Sequence, residues 1–285
     1  MEEIKTFRYG FINREYVNLG EAPYKNVVKT VVTQARLAEP LIILQQKDGW
    51  YEVERSDGYR GYVSPLDLVL ANKKEWEYYQ ATKQVLVTKP FTFIYKDYVS
   101  SPQWEDALSL RSAATIGTQL SLVSEEDDCF RVVLPDGQLG VVAKGEAVVI
   151  PRFNSIPLGA STDVVEMAKQ FLGLPYYWGG TTSYGFDCSG FVQTICKMNG
   201  IHLLRDAHQQ YEMGQSVAKD ELEVGDLVFW STYRAGASHV GFYIGDSCYI
   251  HAGSSKGVAI NSFNPAHDNY SEELDKKYLG SRRVM

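Results

Sequence analysis

Basic clusters are missing from this chain. Its 285 residues carry a net charge of −7, and no block of lysine and arginine stands out. A polyanion would be repelled at long range, which sets nucleic acid aside as a partner. The same sign speaks against simple electrostatic docking to anionic lipid or acidic wall polymers. Cysteine is scarce as well: Cys129, Cys188, Cys196 and Cys248 lie far apart, and none belongs to a C-x-x-C pair. In a chain of this length that argues against a disulfide framework, and free thiols favour a reducing compartment. No apolar run reaches the length that spans a bilayer. The opening "MEEIKTFRYG" lacks both the basic n-region and the apolar h-region of an export signal. A soluble, cytoplasmic protein, monomeric and without a membrane span, is expected of the sequence as given. An export signal removed ahead of this start is the alternative.

What is present suits folded domains. Hydrophobic residues make up 45% and charged residues 22%, a balance that can bury a full core and leaves room for two or three domains. Tyrosine is abundant at 19 copies, which fits strand-rich modules and binding surfaces.

A repeat organises the first half. Residues 41–63, "LIILQQKDGWYEVERSDGYRGYV", slide without a gap onto 120–142, "LSLVSEEDDCFRVVLPDGQLGVV", with seven of 23 positions identical at a shift of 79. The identities are Leu41/Leu120, Asp48/Asp127, Val53/Val132, Asp57/Asp136, Gly58/Gly137, Gly61/Gly140 and Val63/Val142. Each copy reads as an apolar strand, a tight Asp-Gly turn and a second strand ending in Gly-x-Val, a strong hairpin signal. Two small all-β barrels are expected, at 10–72 and 82–150, with "VNLGEAP" (17–23) and "SLRSAA" (109–114) as opening strand and loop. Both copies resemble bacterial SH3-like domains, modules common in cell-wall enzymes; the second is degenerate, with Cys129 where the first has Trp50. "NKKEWEYYQATK" (72–83) reads as a connector, and "PRFNSIPLGAS" (151–161) as a linker to a third domain at 160–285.

The third domain changes character. "STDVVEMAKQFLG" offers Ser161, Thr162 or Asp163 as a cap, then Val164, Val165, Ala168, Phe171 and Leu172 on one helical face, with Gly173 and Pro175 as the stop. A second helix is expected from Cys188 to Asn199, with Phe191, Val192 and Ile195 inward and Gly200 closing it. "DLVFW" (226–230), "HVGFYIG" (239–245) and "CYIHAG" (248–253) are of strand length, the last two divided by a Gly-Asp turn. Helices followed by antiparallel strands predict an α+β domain.

Three roles are open to Cys188: a small buried hydrophobe, a metal ligand, or a nucleophile. If Asp187 caps the helix, Cys188 lies in its first turn, where free N–H groups and the dipole favour a thiolate. The dipole supplies only about 0.3–1 kcal/mol, so lowering the thiol far enough requires a histidine beside the sulfur. His239 is the candidate, and His251 on the next strand can orient it, the logic of a Cys-His-polar triad. No close ligand pair such as C-x-x-C or H-x₃-H supports zinc at these three residues. Cys129, Cys196 and Cys248 read as structural, His202 and His208 as surface or helix residues, and His267 as a loop residue.

"GFDCSGF", "GDLVFW", "SHVGFYIGD", "YIHAG" and "YLGSRRV", in this order over about 160–285, resemble the NlpC-type family of bacterial cell-wall cysteine peptidases, with a compact papain-like fold. The resemblance implies Cys188 as nucleophile, His239 as base, His251 as the orienting third residue and Tyr176 of "LPYYWGG" as support for the oxyanion. No metal or organic cofactor is implied. With two barrels ahead of it, the layout is similar to γ-D-glutamyl-L-diamino-acid endopeptidases (dipeptidyl-peptidase VI), which act on muropeptides with a free N-terminal L-Ala. On that likeness Asp206 of "LLRDAHQQ" takes the amine, Ser189 is its neighbour at the nucleophile, and Glu39 and Tyr59 of the first barrel close the pocket. Plainer readings stand beside these: Asp206 a solvated helix-start acid, Glu39 a turn residue, Tyr59 an exposed strand tyrosine. Rival functions are a wall-binding protein with an idle peptidase domain, or an amidase or acyl transferase on the same fold.

Overall fold

A computed structural model describes residues 8–23, 30–96 and 109–285; the opening 1–7, read above for a leader, lies outside them. The chain divides between Ser155 and Ile156 into two compact units, a boundary inside the segment expected to be a linker.

The first unit contains two seven-stranded antiparallel sheets. Strands β1 (Tyr9–Ile12), β2 (Tyr16–Gly20), β3 (Val31–Arg36), β4 (Pro40–Lys47), β5 (Trp50–Glu54), β6 (Arg60–Val63) and β7 (Leu68–Ala71) pair in the order β3-β2-β6-β5-β4-β1-β7. Helix α1 (Lys73–Ala81) follows. Then β8 (Gln84–Val87), β9 (Phe91–Tyr95), β10 (Leu110–Thr115), β11 (Gln119–Glu125), β12 (Cys129–Val133), β13 (Leu139–Ala143) and β14 (Ala147–Ile150) pair as β10-β9-β13-β12-β11-β8-β14. The two orders are the same when each label is shifted by seven, so the repeat extends well beyond the matched stretch.

The identities of the repeat have physical reasons. Leu41, Val53 and Val63, like Leu120, Val132 and Val142, are fully buried. Asp57 and Asp136 each accept a hydrogen bond at 3.0 Å from the backbone N–H two residues on, which folds the turn. Gly61 pairs with Val53 as Gly140 does with Val132. A Cβ at Gly61 would lie 2.8 Å from Leu19 Cβ, and one at Gly140 2.5 Å from Ile94 Cγ2, so neither position admits a side chain without movement.

One expectation for this half is not met. "VNLG" lies in β2, but "LRSAA" lies in β10, the counterpart of β3 rather than β2. The connector is helical: the Asn72 side chain accepts from the N–H groups of Lys74 and Glu75, and Glu75 accepts from the Asn72 N–H, a complete capping box.

The second unit is α+β. It comprises α2 (Ser161–Lys169), β15 (Thr181–Thr182), β16 (Gly185–Phe186), α3 (Cys188–Met198), α4 (Ala207–Tyr211), β17 (Gln215–Val217), β18 (Leu227–Trp230), β19 (His239–Gly245), β20 (Cys248–Gly253), β21 (Gly257–Ser262), α5 (Glu272–Lys276) and β22 (Tyr278–Arg283). Six strands form one antiparallel sheet, β17-β22-β18-β19-β20-β21, against which α3 packs. Helix α2 is capped differently from the expectation: Ala160 is the cap residue, and Asp163 reaches back to its N–H at 2.9 Å. It also ends at Lys169, leaving Phe171 buried beyond it and Leu172 exposed. Helix α3 runs as expected, from an Asp187 cap to Asn199, with Gly200 at φ 74° turning the chain away. Nearly every side chain of α3 is buried. Among the described residues no helix is long and apolar enough to cross a membrane.

Candidate active site

Cys188 opens α3 and is 7% exposed. The Asp187 carboxylate fixes this helix start. Its Oδ1 accepts from Gly190 N at 2.6 Å and its Oδ2 from Gly179 N at 2.9 Å. Arg205 holds the same carboxylate in a fork, Nη1 to Oδ1 at 3.0 Å and Nη2 to Oδ2 at 2.6 Å, and is itself buried. Such bidentate geometry holds two segments in one orientation. Ser189 belongs to this cluster: its hydroxyl accepts from Arg205 Nη1 at 2.9 Å.

The surroundings of the thiol act against its ionisation as well as for it. Burial and the Asp187 charge push Cys188 up to about 12, against the opposing pull of the Val240 and Ser189 N–H groups and of Arg205. The helix start does favour the thiolate, but removal from water and an adjacent carboxylate outweigh it.

The histidines meet through strand register. β19 pairs antiparallel with β20, with Gly241 opposite His251. His239 therefore lies diagonally from His251 on the same face. Two glycines keep the space around His251 clear: a Cβ on Gly241 would sit 2.9 Å from His251 Cβ, and one on Gly253 3.0 Å from His251 Cε1. His239 Nε2 lies 2.7 Å from His251 Nδ1. His251 Nε2 lies 3.0 Å from Asn261 Oδ1 on β21, and Asn261 Nδ2 donates to the Asn269 carbonyl at 3.0 Å. Trp230, fully buried on β18, packs beside both imidazoles, with ring centroids 5.4 and 6.0 Å away. Burial, and then His251, hold His239 well below the usual imidazole range. Burial lowers His251 too, partly offset by its bond to Asn261.

Cys188, His239, His251 and Tyr176 line one cavity of about 360 Å³, together with Tyr233 and Asn261. Tyr176 is half-buried, and its phenol is raised by burial and by the nearby Cys188 and Asp187, so it stays protonated and able to donate. Asp206 stands at the start of α4, half-buried, its N–H bonded to Gln209 Oε1 at 3.0 Å. In the first unit, Glu39 is buried: Oε1 pairs with Arg55 Nε at 2.6 Å and Oε2 accepts from Arg36 N at 3.1 Å. Tyr59 is half-buried on the Asp57 turn, where its N–H meets the Asp57 carboxylate. Among the described residues no three His, Cys, Asp or Glu side chains converge as a metal site. All four cysteines are free thiols.

Sequence reasoning passed over Arg205, Trp230, Tyr233 and Asn261. Arg205 directly precedes Asp206 and Trp230 closes "DLVFW", so a basic residue and a large ring in otherwise apolar stretches were available signals. Nothing local marks Asn261.

A model of the NlpC/P60 family matches residues 173–279. The gamma-D-glutamyl-L-lysine dipeptidyl-peptidase of Bacillus cereus is 34% identical over 266 residues, covering 89% of this chain and 75% of its own. The protein of the same name from Bacillus subtilis is 30% identical over 255 residues, covering 86% and 79%. The crystal structure of an NlpC/P60 family protein from Bacillus cereus matches with a TM-score of 0.84 at 28% identity, over 97% of this chain and 99% of that one.

Proposed function

The chain belongs to the NlpC/P60 family and is a peptidase, and from that premise we propose that it hydrolyses the γ-D-glutamyl–diamino acid bond of peptidoglycan-derived peptides carrying a free N-terminal L-Ala. In this reading 10–72 and 82–150 are SH3-like barrels and 160–285 is a papain-like catalytic domain. The observation that carries it is the length of the likeness. Two relatives named gamma-D-glutamyl-L-lysine dipeptidyl-peptidase match through the β-rich first unit as well as the peptidase unit.

The chemistry follows from the site. His239 Nε2 is engaged by His251, so Nδ1 is the nitrogen left to take the thiol proton. As the Cys188 sulfur bonds to the γ-glutamyl carbonyl carbon, the carbonyl π electrons move to oxygen. The Tyr176 hydroxyl and the N–H groups opening α3 stabilise that oxyanion. Collapse breaks the C–N bond, and His239 returns its proton to the departing α-amine of the diamino acid. Water, deprotonated by His239, then attacks the thioester and releases the γ-carboxylate and the thiol. Asp206 supplies a carboxylate for the substrate ammonium. The test offers L-Ala-γ-D-Glu-L-Lys beside its N-acetylated form. Preference for the free amine is expected, and equal cleavage of both would remove the amine requirement.

A further inference from the structure

We propose that Asn261 is a positioning residue for this reaction, setting which nitrogen of His239 is free to receive the Cys188 proton. The Asn269 backbone carbonyl can only accept, so the Asn261 atom 3.0 Å from it is the NH₂ group. The amide oxygen of Asn261 is thereby turned toward His251 Nε2, also at 3.0 Å. That nitrogen must carry its hydrogen, which leaves Nδ1 of neutral His251 as a bare lone pair. Facing it at 2.7 Å, His239 Nε2 must donate. Neutral His239 then has its lone pair on Nδ1, and one backbone carbonyl has fixed the tautomer of two rings in series. If the Asn261 amide were reversed or absent, His251 could hold its hydrogen on Nδ1. His239 would then accept at Nε2 and carry its hydrogen on Nδ1, where it cannot act as a base.

The two rings share a wall of Trp230 and few charges. The titratable groups around them are Cys188 from α3, Tyr176 and Tyr233 on the cavity lining, Tyr249 beside the His251 ring, and Tyr270, Lys256 and Glu273 elsewhere on that lining. Glu273 is ion-paired with Lys277. Asn261 therefore acts on the pair by direct hydrogen bonding, and a carboxylate in its place would add a negative charge in contact with the relay.

The inference rests on His239 serving as base to Cys188, and the test separates it from the substrate assignment. Wild type, N261A and N261D are compared in two pH-resolved assays: alkylation of Cys188 by iodoacetamide, followed by mass spectrometry, and hydrolysis of L-Ala-γ-D-Glu-L-Lys. N261A is expected to lower kcat and the neutral-pH alkylation rate about 10–100-fold, the scale of one buried hydrogen bond lost from a coupled pair, with a smaller change in KM. N261D keeps an acceptor for His251 Nε2 but loses the donor to the Asn269 carbonyl, so it is expected to recover part of that loss and to move the histidine-dependent limb of both profiles to higher pH. Wild-type profiles in both variants, or equal damage in both without a pH shift, would overturn the role. Uncleaved tripeptide with alkylation still dependent on residue 261 would remove the substrate reading and support the positioning role. Should N261A fail to fold, imidazole ¹⁵N spectra of the wild type decide. Both Nε2 atoms protonated and both Nδ1 atoms bare support the inference, and any other pattern overturns it.

Discussion

Replacing Arg205 by methionine tests how the nucleophile is held in place. Arg205 is 1% exposed and Asp187 8% exposed, so the pair is an interior one, and its two halves are not equally dispensable. The methionine fills much of the arginine stem's volume but strands the Asp187 carboxylate away from water. Stranding one partner of a buried pair costs about 3–5 kcal/mol, against about 0.2–1 kcal/mol for an exposed pair. Two backbone donors, Gly190 N and Gly179 N, still reach the carboxylate, which places the cost toward the lower end of that range. For a unit of this size, about 3 kcal/mol corresponds to a fall in melting temperature on the order of 10 °C. Calorimetry on the full chain reads it as a lower melting temperature. The double variant D187N/R205M removes the stranded charge and leaves an amide oxygen for Gly190 N–H, so it is expected to melt above R205M. A loss below about 1 kcal/mol in R205M would show that the pair is solvated like a surface bridge. Simple additivity in the double variant would show that the two side chains are not coupled.

Other outcomes follow from the same geometry. Tyr176→Phe removes one oxyanion donor and should lower kcat on the tripeptide about 10²-fold with KM little changed; unchanged kcat would exclude the hydroxyl from the reaction. Gly241→Ala would place a Cβ 2.6 Å from the Ile250 carbonyl oxygen and 2.9 Å from His251 Cβ. Turnover should therefore fall sharply while circular dichroism still reports a folded chain, and normal turnover would show that the strands can yield without disturbing the rings. The histidines also give a pH signature. Folding lowers both below their unfolded value, so below about pH 6.5 the unfolded chain binds protons that the native one refuses. Stability is complete above that pH and falls as pH drops toward the folded values, by up to about 1.4 kcal/mol per pH unit for each histidine. Denaturant titrations between pH 6.5 and 5 should show a shallower loss in H239Q/H251Q than in wild type; parallel curves would mean the rings titrate freely.

Much of this site could be read in the sequence because its parts are local. An acid before an apolar run marks a helix start, so Asp187 and Cys188 fell into place without tertiary knowledge. The strands carrying His239 and His251 have the expected bounds, 239–245 and 248–253, because a Gly-Asp turn divides two apolar runs. The repeat was legible for the same reason: its identities are core and turn positions, which the chain states twice. What escaped depends on contacts between distant segments. Glu39 meets Arg55 across 16 residues, and Asp187 meets Arg205 across 18. No spacing rule joins either pair. Asn261 shows the limit most sharply. A strand's period of two assigns residues to faces only once its register is known. His251 pairs with Ala259, which brings Asn261, two residues on, to the same face as the ring. A slip of one residue would turn it away and break the proton relay. That register is pinned from outside the hairpin, where Val258 N donates to the Leu174 carbonyl at 2.9 Å and Gly173 N to the Val258 carbonyl at 2.8 Å. The tautomer of the base thus depends on a loop more than sixty residues upstream, which is why no stretch around Asn261 could have revealed it.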